Sequence, residues 1–256
     1  MSDPHHNVWA NTPLTPRLPQ SDRSAGITIF DIVRFVLGVI GMVLALGAVG
    51  GLLFGPDIAQ LGDIANADPA ASLWVLGASY LGMGLMVLAA VKWGRANVWR
   101  PLKLDRAPGK WLILGPLLAL AVSLALDWGA VGLYEELTGE KIELEIDQFM
   151  RNGLDGPLMS ASMLLVAGIL GPIVEELIFR GLALGWLQRL MPFWLAALIS
   201  SVLFGLAHVQ GPHIVLAAAL GLVFAFLYRR AGSLWAPIAG HIVNNVAAVA
   251  SVYFGF

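Results

Sequence analysis

The sequence has 256 residues, of which 58% are hydrophobic and 12% are charged, and its mean hydropathy is +0.77. One soluble core cannot hide this much apolar surface, so the composition excludes an ordinary soluble domain. The chain contains no cysteine, which excludes disulfides, thiolate catalysis and Cys-ligated metals. Its formal net charge of −2 is uninformative, because the placement of Lys and Arg matters more than their sum in membrane proteins.

The first 26 residues are polar and carry four prolines. They contain no short apolar core followed by a cleavage site of small residues. We therefore expect residues 1–26 to form a disordered cytoplasmic tail rather than a signal peptide.

The rest of the chain predicts an all-α membrane protein, a polytopic bundle of about seven (six to eight) transmembrane helices. A span needs about 20 predominantly apolar residues. Seven stretches approach that length, and they run over Val36–Phe54, Leu73–Val91, Trp111–Leu133, Leu158–Leu187, Phe193–His208, Ile214–Tyr228 and Leu234–Phe254.

Charged residues alternate between the connections and predict the orientation of the bundle. Lys and Arg precede the first span, crowd residues 92–110 after the second span, and follow the sixth at Arg229 and Arg230. Asp and Glu dominate the connections in between, above all the segment Tyr134–Arg151. The positive-inside rule then predicts a cytoplasmic N-terminus and an external C-terminus. Residues 27–157 are expected to hold the first transmembrane helices and an acidic external loop or short interfacial helix.

Three ionisable residues lie within six positions of the fourth span, at Glu175, Glu176 and Arg180. A charge at the bilayer centre costs roughly 2.5 to 3.5 kcal/mol, so three cost on the order of 8 kcal/mol before pairing, and such residues mark functional sites by default. Glu176 and Arg180 are four apart and share a helix face, whereas Glu175 is rotated by about 100°. One carboxylate is thus neutralised by Arg180 and the other is free for chemistry. A plain buried ion-pair network is the structural alternative.

Two further groups of polar residues lie on the last spans. His208 follows Phe204 by one helical turn, and Asn245 follows His241 in the same way, with Asn244 beside it. Judged alone, His208 is more often a satisfied interfacial histidine than a catalyst. The pair of His241 and Asn245 can equally be an interhelical hydrogen bond, typically worth only about 1 kcal/mol.

Together these residues form a set suited to hydrolysis. A water nucleophile needs a base, and a carboxylate in an apolar site can serve near neutral pH. The tetrahedral intermediate needs donors for its oxyanion. Helical backbone N–H groups are already committed inside a membrane, so side chains such as His241 and Asn245 must supply those donors. The chain contains no His-Glu-x-x-His, Gly-x-Ser-Gly or Gly-x-Gly-Asp motif, the signatures of other intramembrane proteases.

The order and spacing of these polar residues resemble the motif series of the CPBP family. That family includes the Rce1-type CAAX prenyl endopeptidases and related bacterial bacteriocin-processing and immunity proteins. The resemblance covers about Leu158–Phe254, and residues 158–256 are expected to form the catalytic core. Its motifs are Glu175-Glu176-x-x-x-Arg180, Phe204-x-x-x-His208 and His241-x-x-x-Asn245.

The resemblance implies an intramembrane endopeptidase that depends on a glutamate. Glu175 would be the general base, His208 would position or polarise the water, and His241 and Asn245 would stabilise the oxyanion. Glu176 and Arg180 would support the site. Because the family is often called a metalloprotease, a zinc site of Glu175, His208 and His241 is the alternative to direct action of these residues, and we favour the metal-free reading.

Depth in the membrane sets a condition on this site. In the predicted topology, Glu175 lies toward the cytoplasmic side of its span, whereas His208 lies near the external end of the fifth span. A shared site then requires a fourth helix that penetrates more deeply, bent at Gly171-Pro172, or a later start of the fifth.

The predicted partners are membrane lipid and a membrane-associated peptide or protein substrate, with no nucleic acid. The predicted location is the bacterial inner membrane. A non-catalytic immunity or scaffold protein that binds a peptide in the same pocket is the first alternative. A transporter that uses Glu175 or Glu176 as a proton relay is the second, although duplicated hydrophobic halves are not apparent.

Overall fold

The computed structural model describes residues 26–54, 69–93, 95, 97–139, 156–208 and 211–254. Within these ranges the regular elements are all helices, and they join into seven continuous ones. These are α1 (Ile29–Phe54), α2 (Pro69–Lys92), α3 (109–138), α4 (Pro157–Leu187), α5 (Phe193–Leu206), α6 (Gly211–Ala231) and α7 (Trp235–Phe254). The prediction of an all-α bundle of about seven helices is confirmed.

Two of the predicted segments fall largely or partly outside the described residues. The tail over residues 1–26 lies outside except for Gly26, and the acidic loop lies outside over residues 140–155. Tyr134 to Thr138, at the start of that loop, continue α3 as a helix.

Among the described residues, three helices are long and apolar enough to cross a membrane, over Val75–Lys92, Pro157–Leu187 and His213–Ala231. Helix α5 and the α-helical part of α3, Gly109–Ala125, are apolar but shorter. The outer surface of the bundle is apolar as well, with Leu37, Leu44 and Leu85 each more than 60% exposed. The protein is an integral membrane protein whose lipid-facing side chains account for its composition.

Helix α4 changes its hydrogen-bonding pattern on both sides of the acidic pair. Leu164–Leu170 and Leu177–Leu184 are π-helical, and only Gly171–Glu176 between them is α-helical. Pro172 has no N–H and so cannot donate to the preceding turn. π-Helical turns insert an extra residue and occur often at functional sites. The acidic pair therefore sits on a short α-helical step whose side chains are offset from those of a regular helix.

The last two helices are docked onto the connection between α2 and α3. Gly232 has a φ of +67°, which glycine adopts readily, and its N–H donates to Tyr228 O at 3.0 Å to end α6. Leu234 N–H then donates to Lys103 O at 2.8 Å, and Ser233 Oγ donates to Asp105 O at 2.6 Å. These bonds fix the start of α7 and thereby the height of its polar residues.

Helix α1 is anchored to the end of α2 by a buried acid. Asp31 accepts hydrogen bonds from both terminal nitrogens of Arg95, at 2.8 and 2.7 Å. Asp31 also reaches back to the N–H of Thr28 at 2.7 Å, which caps the first turn of α1. Beyond this anchor, α1 lies mainly along α2, where Gly38 contacts Met86. Of its described side chains, Leu37, Val43 and Leu44 are more than half exposed.

The contact of α1 with α2 predicts that two engineered cysteines form a disulfide, in a chain that has no cysteine of its own. A Cβ placed on Gly38 would lie 3.8 Å from Cβ of Met86, close to the mean separation of about 3.8 Å in disulfides. The double variant Gly38→Cys/Met86→Cys should therefore cross-link on mild oxidation, as read by mass spectrometry after proteolysis. Gly41→Cys/Met86→Cys is the control and should stay reduced, because an added Cβ at Gly41 meets no atom within 4 Å. A reduced Gly38/Met86 pair would contradict the packing of α1.

Candidate active site

Four helices bring polar side chains to one region of the bundle. Tyr80 comes from α2, Glu175 and Glu176 from α4, His208 follows α5, and His241 lies on α7. A partly open cavity of about 480 Å³ lies between α1, α2, α4 and the end of α5. Its lining residues are Phe35, Val36, Val39, Ile40, Tyr80, Met83, Glu175, Ile178, Phe179, Ala207 and His208.

Glu175 is the acid that faces this cavity. Its side chain is 16% exposed, whereas that of Glu176 is fully buried. Oε1 of Glu175 accepts a hydrogen bond of 2.7 Å from the hydroxyl of Tyr80. Oε2 lies 3.6 Å from Nε2 of His241, which is too long for a hydrogen bond. One carboxylate oxygen is thus held and the other is available to a small molecule.

Glu176 points away from the cavity and forms a buried ion pair. Its Oε1 accepts hydrogen bonds from Arg180 at 2.8 Å and from Nδ1 of His241 at 3.0 Å. The predicted pairing of Glu176 with Arg180 across one helical turn is present, and Arg180 donates to Glu176 rather than to Glu175. Because a carboxylate accepts and Nδ1 therefore carries the hydrogen, Nε2 is the ring nitrogen of His241 that faces Glu175.

Arg180 is enclosed by aromatic rings and a backbone carbonyl. Its guanidinium lies 4.6 Å from the ring centroid of Phe204 and 5.3 Å from that of Phe224, in cation–π contact. It also donates a hydrogen bond of 2.8 Å to Gly221 O on α6. A side chain at position 221 would press on this guanidinium, since an added Cβ would lie 3.1 Å from it. The ring of Phe224 in turn stacks on His241, with centroids 4.6 Å apart.

His208 lies at the cavity wall with a defined ring orientation. Its Nδ1 is 2.8 Å from Phe204 O, and a carbonyl only accepts, so Nδ1 carries the hydrogen. In the neutral ring, Nε2 is then the acceptor. The position of Phe204 one turn earlier, noted in the sequence, therefore sets the tautomer of His208.

Glu175 and His208 lie at one cavity, as a shared site requires. Helix α5 begins at Phe193, as drawn from the sequence, but its 14 residues rise only about 21 Å, less than the bilayer core of about 30 Å. Glu175 lies on α4, on the other side of the turn that precedes α5, and both side chains line the cavity.

Asn245 is placed one turn beyond His241 but is engaged differently. Its amide nitrogen donates to Ala167 O, in the first π-helical stretch of α4, at 3.1 Å. Its Oδ1 lies 3.5 Å from the amide nitrogen of Asn244. One amide hydrogen thus joins α7 to α4, and the second is the one that remains for an oxyanion. The oxyanion role of Asn245 stays a prediction.

Two neighbours of the site escaped the sequence analysis. Tyr80 and Ser79 are the two hydroxyl side chains of the apolar second span, and such intramembrane polar groups are the signal that could have indicated Tyr80. His213 begins α6, and its ring centroid lies 4.7 Å from that of His208. Nothing in the spacing of His208 and His213 predicts this contact, because it depends on the turn between α5 and α6.

The donor geometry bears on the zinc alternative. Among the described residues, no group of three His, Asp or Glu side chains is arranged to hold a metal ion. Nε2 of each candidate histidine stays open, because Nδ1 is engaged by Phe204 O in His208 and by Glu176 in His241. The zinc site of Glu175, His208 and His241 stays a prediction.

A comparison with protein families gives a match over the C-terminal part of the chain. Residues 157–247 match the model of a family described as type II CAAX prenyl endopeptidase Rce1-like. This range begins at the first residue of α4 and ends within α7, and it contains Glu175, His208, His241 and Asn245.

Three curated proteins are similar to the chain. "Putative membrane peptidase YdiL" of Bacillus subtilis (strain 168) is 35% identical over 142 residues, 54% of this chain and 54% of that protein. "Membrane-embedded CAAX protease MroQ" of Staphylococcus aureus (strain USA300) is 25% identical over 178 residues, 65% and 70% of the two chains. An "Uncharacterized 24.3 kDa protein" of Escherichia coli is 30% identical over 147 residues, 52% and 67%. The chain thus spans about half the length of the Bacillus protein, and no solved structure matches it.

The buried ion pair predicts an asymmetric response to mutation. Arg180→Met should lower the free energy of unfolding by about 3–5 kcal/mol, because it leaves the carboxylate of Glu176 buried without its cation. Arg180→Met/Glu176→Gln should recover most of this loss, since the amide still accepts from His241. Urea unfolding in detergent micelles measures both. A double variant as unstable as Arg180→Met would contradict the account.

Proposed function

Residues 157–247 belong to the Rce1-like family of type II CAAX prenyl endopeptidases, as the motif series predicts, and on this premise we propose that the protein is an intramembrane endopeptidase. It hydrolyses a peptide bond of a membrane-associated substrate with water activated by Glu175. One observation carries the proposal. Glu175 faces a cavity together with His208, while the adjacent Glu176 is neutralised by Arg180.

The first step is attack of water on the carbonyl carbon of the scissile bond. Oε2 of Glu175 accepts a proton from the water, and the oxygen of the water forms the new bond to the carbonyl carbon. His208 contributes Nε2 as a second acceptor, so that the two acceptors orient the water lone pair toward the carbonyl. Because helix backbone N–H groups are committed inside the membrane, side chains must stabilise the oxyanion. The proposed donors are His241, doubly protonated so that Nε2 carries a hydrogen as well as Nδ1, and Asn245 through its second amide hydrogen.

The second step is collapse of the tetrahedral intermediate. The carbon–nitrogen bond breaks, and the departing nitrogen takes the proton that Glu175 accepted from water. Glu175 thereby returns to its carboxylate form. Glu176 and Arg180 take no proton in this scheme. They hold His241 by its Nδ1, which keeps Nε2 directed at the reacting carbonyl.

The substrate is proposed to enter beside α1. Phe35, Val39 and Ile40 give the cavity an apolar wall opposite the polar groups. A peptide from a membrane helix or an apolar terminus can place its side chains there while its carbonyl reaches Glu175. Cells that carry reporters fused to each terminus test the proposed bacterial inner-membrane location and cytoplasmic N-terminus. Metal analysis and chelator treatment of the purified protein test the zinc alternative.

The general-base role predicts a selective loss of activity. Glu175→Gln should lower kcat/KM by about 10²–10⁴-fold, the usual contribution of general acid–base catalysis, and leave folding intact. His208→Ala should abolish cleavage likewise. The assay is cleavage of quenched-fluorescent apolar peptides by purified protein in micelles, with circular dichroism as the folding check. Glu136→Gln is the matched control, since Glu136 is exposed and lies on the last turns of α3.

Other results would support other functions. Equal activity of Glu175→Gln and parent would refute the proposed base. A peptide that binds equally to both, with no product from either, would favour an immunity or scaffold protein. Proton-coupled uptake in proteoliposomes would favour a transporter. When the base is supported, trapping of membrane proteins by the Glu175→Gln variant identifies the physiological substrate.

The apolar wall predicts a separate effect on substrate binding. Ile40→Trp should raise KM by about tenfold with little change in kcat, because the larger ring fills space that the substrate needs and touches no reacting group. Val43→Trp is the control on the same helix, since Val43 is 58% exposed and does not line the cavity. The same peptide assay measures both parameters. Equal KM values for the two variants would contradict entry beside α1.

A further inference from the structure

Tyr80 is a polar side chain of the candidate site that lies outside the family match. It belongs to α2, whereas the match begins with α4. Its hydroxyl donates to Oε1 of Glu175 at 2.7 Å, across 95 positions of sequence. It also lines the cavity beside Glu175 and His208. A residue of the N-terminal half thus makes a short contact with the proposed base.

We propose that Tyr80 is a positioning residue that fixes the carboxylate of Glu175 for its reaction with water. This inference rests on the proposed function. A glutamate carboxylate rotates about a broad terminal torsion, so its two oxygens exchange places unless something holds one of them. Tyr80 occupies Oε1, and Oε2 is left toward His241 and the cavity. The same oxygen then accepts the proton in every catalytic cycle.

The other contacts of Glu175 cannot do this. His241 approaches Oε2 at 3.6 Å, beyond hydrogen-bond distance, and Nδ1 of its ring is held by Glu176. Arg180 donates to Glu176 rather than to Glu175. Among the described residues, Tyr80 is the partner within hydrogen-bond distance of the Glu175 carboxylate, at 2.7 Å. Its loss would leave the base free to turn between orientations.

Glycines allow Tyr80 to come this close. An added Cβ at Gly77 or Gly84 would lie 3.1 Å from a valine methyl on α4, so both positions hold α2 tightly against α4. Gly77 and Gly84 are seven residues apart and share the face on which Tyr80 lies between them. Opposite, Gly171 accommodates the phenol, since an added Cβ would lie 3.1 Å from its ring carbons and 3.2 Å from its hydroxyl.

A purely structural role is the competing explanation, because the same bond joins α2 to α4. The two roles differ in what they change. A structural bond alters stability and the amount of folded protein. Loss of a positioning bond lowers kcat without changing the fraction of folded protein. It leaves KM unchanged, because the substrate still binds the same apolar wall. A positioning role also makes substitutions at Tyr80 and Gly171 non-additive, since both act through one oxygen of Glu175.

The test compares Tyr80→Phe, Gly171→Ala and their combination with parent in the quenched-fluorescent peptide assay. Tyr80→Phe should lower kcat by roughly tenfold to a hundredfold, the cost of a small misplacement of a reacting group, with KM unchanged. Gly171→Ala should also lower kcat, because its methyl displaces the phenol, yet add little in the Tyr80→Phe background. Tyr228→Phe is the matched control, since that buried hydroxyl contacts only Gln188, at 3.5 Å, among the described residues.

The outcomes separate this inference from the proposed function. Full kcat for Tyr80→Phe beside an inactive Glu175→Gln overturns the positioning role alone. The same holds if the loss tracks a lower melting temperature, or if the effects of Tyr80→Phe and Gly171→Ala simply multiply. An active Glu175→Gln, or a parent that cleaves no peptide, overturns the proposed function and this inference with it.

Discussion

The ion pair between Glu176 and Arg180 is the constraint on which the rest of the site depends. Both side chains are fully buried, and the guanidinium is closed in by Phe204, Phe224 and a carbonyl of α6. A buried charge is tolerated only when it is paired, so α4, α5 and α6 must keep this arrangement for the fold to persist. The pair also binds Nδ1 of His241 and so brings α7 into register. The neighbouring Glu175 is thereby left outside the pair, at the cavity, with 16% of its side chain exposed.

Close helix approach is the second requirement, and small residues provide it. The carbonyl of Gly221 reaches Arg180 because no side chain stands between them, and Gly171 makes room for Tyr80 in the same way. Such contacts replace the hydrophobic driving force that is missing between helices in lipid. They explain how polar groups from four helices meet in a bundle whose outer faces are apolar.

Contacts and faces within one helix could be predicted from the sequence, because helix geometry alone determines which residues lie side by side. The pairing of Glu176 with Arg180, the separate face of Glu175 and the contact of Phe204 with His208 are of this kind. The contact of Tyr80 with Glu175 depends on the distance between α2 and α4, and that distance depends on glycines whose role appears only when both helices are packed. The bond of Asn245 to Ala167 likewise requires the π-helical stretch of α4, which its apolar sequence does not indicate. The closeness of His208 to Glu175 could not be predicted either, because it depends on the turn between α4 and α5 and on the 14-residue length of α5.

These contacts divide the molecule into two parts with different tasks. Helices α4 to α7 supply the acid, the imidazoles and the buried ion pair. The ion pair fixes the relative positions of these helices, because separating two buried charges is strongly destabilising. Helix α1 holds to the bundle through Asp31 at one end and apolar contacts along α2, none of which involves the acidic pair. Substitutions on the apolar wall that α1 gives the cavity can therefore change the shape of the cavity while the polar groups stay in place. Tyr80 on α2 is the exception, because it belongs to the same N-terminal half and yet touches the base. A variant of the N-terminal half that alters the wall will preserve the chemistry only if it keeps α2 at its present distance from α4.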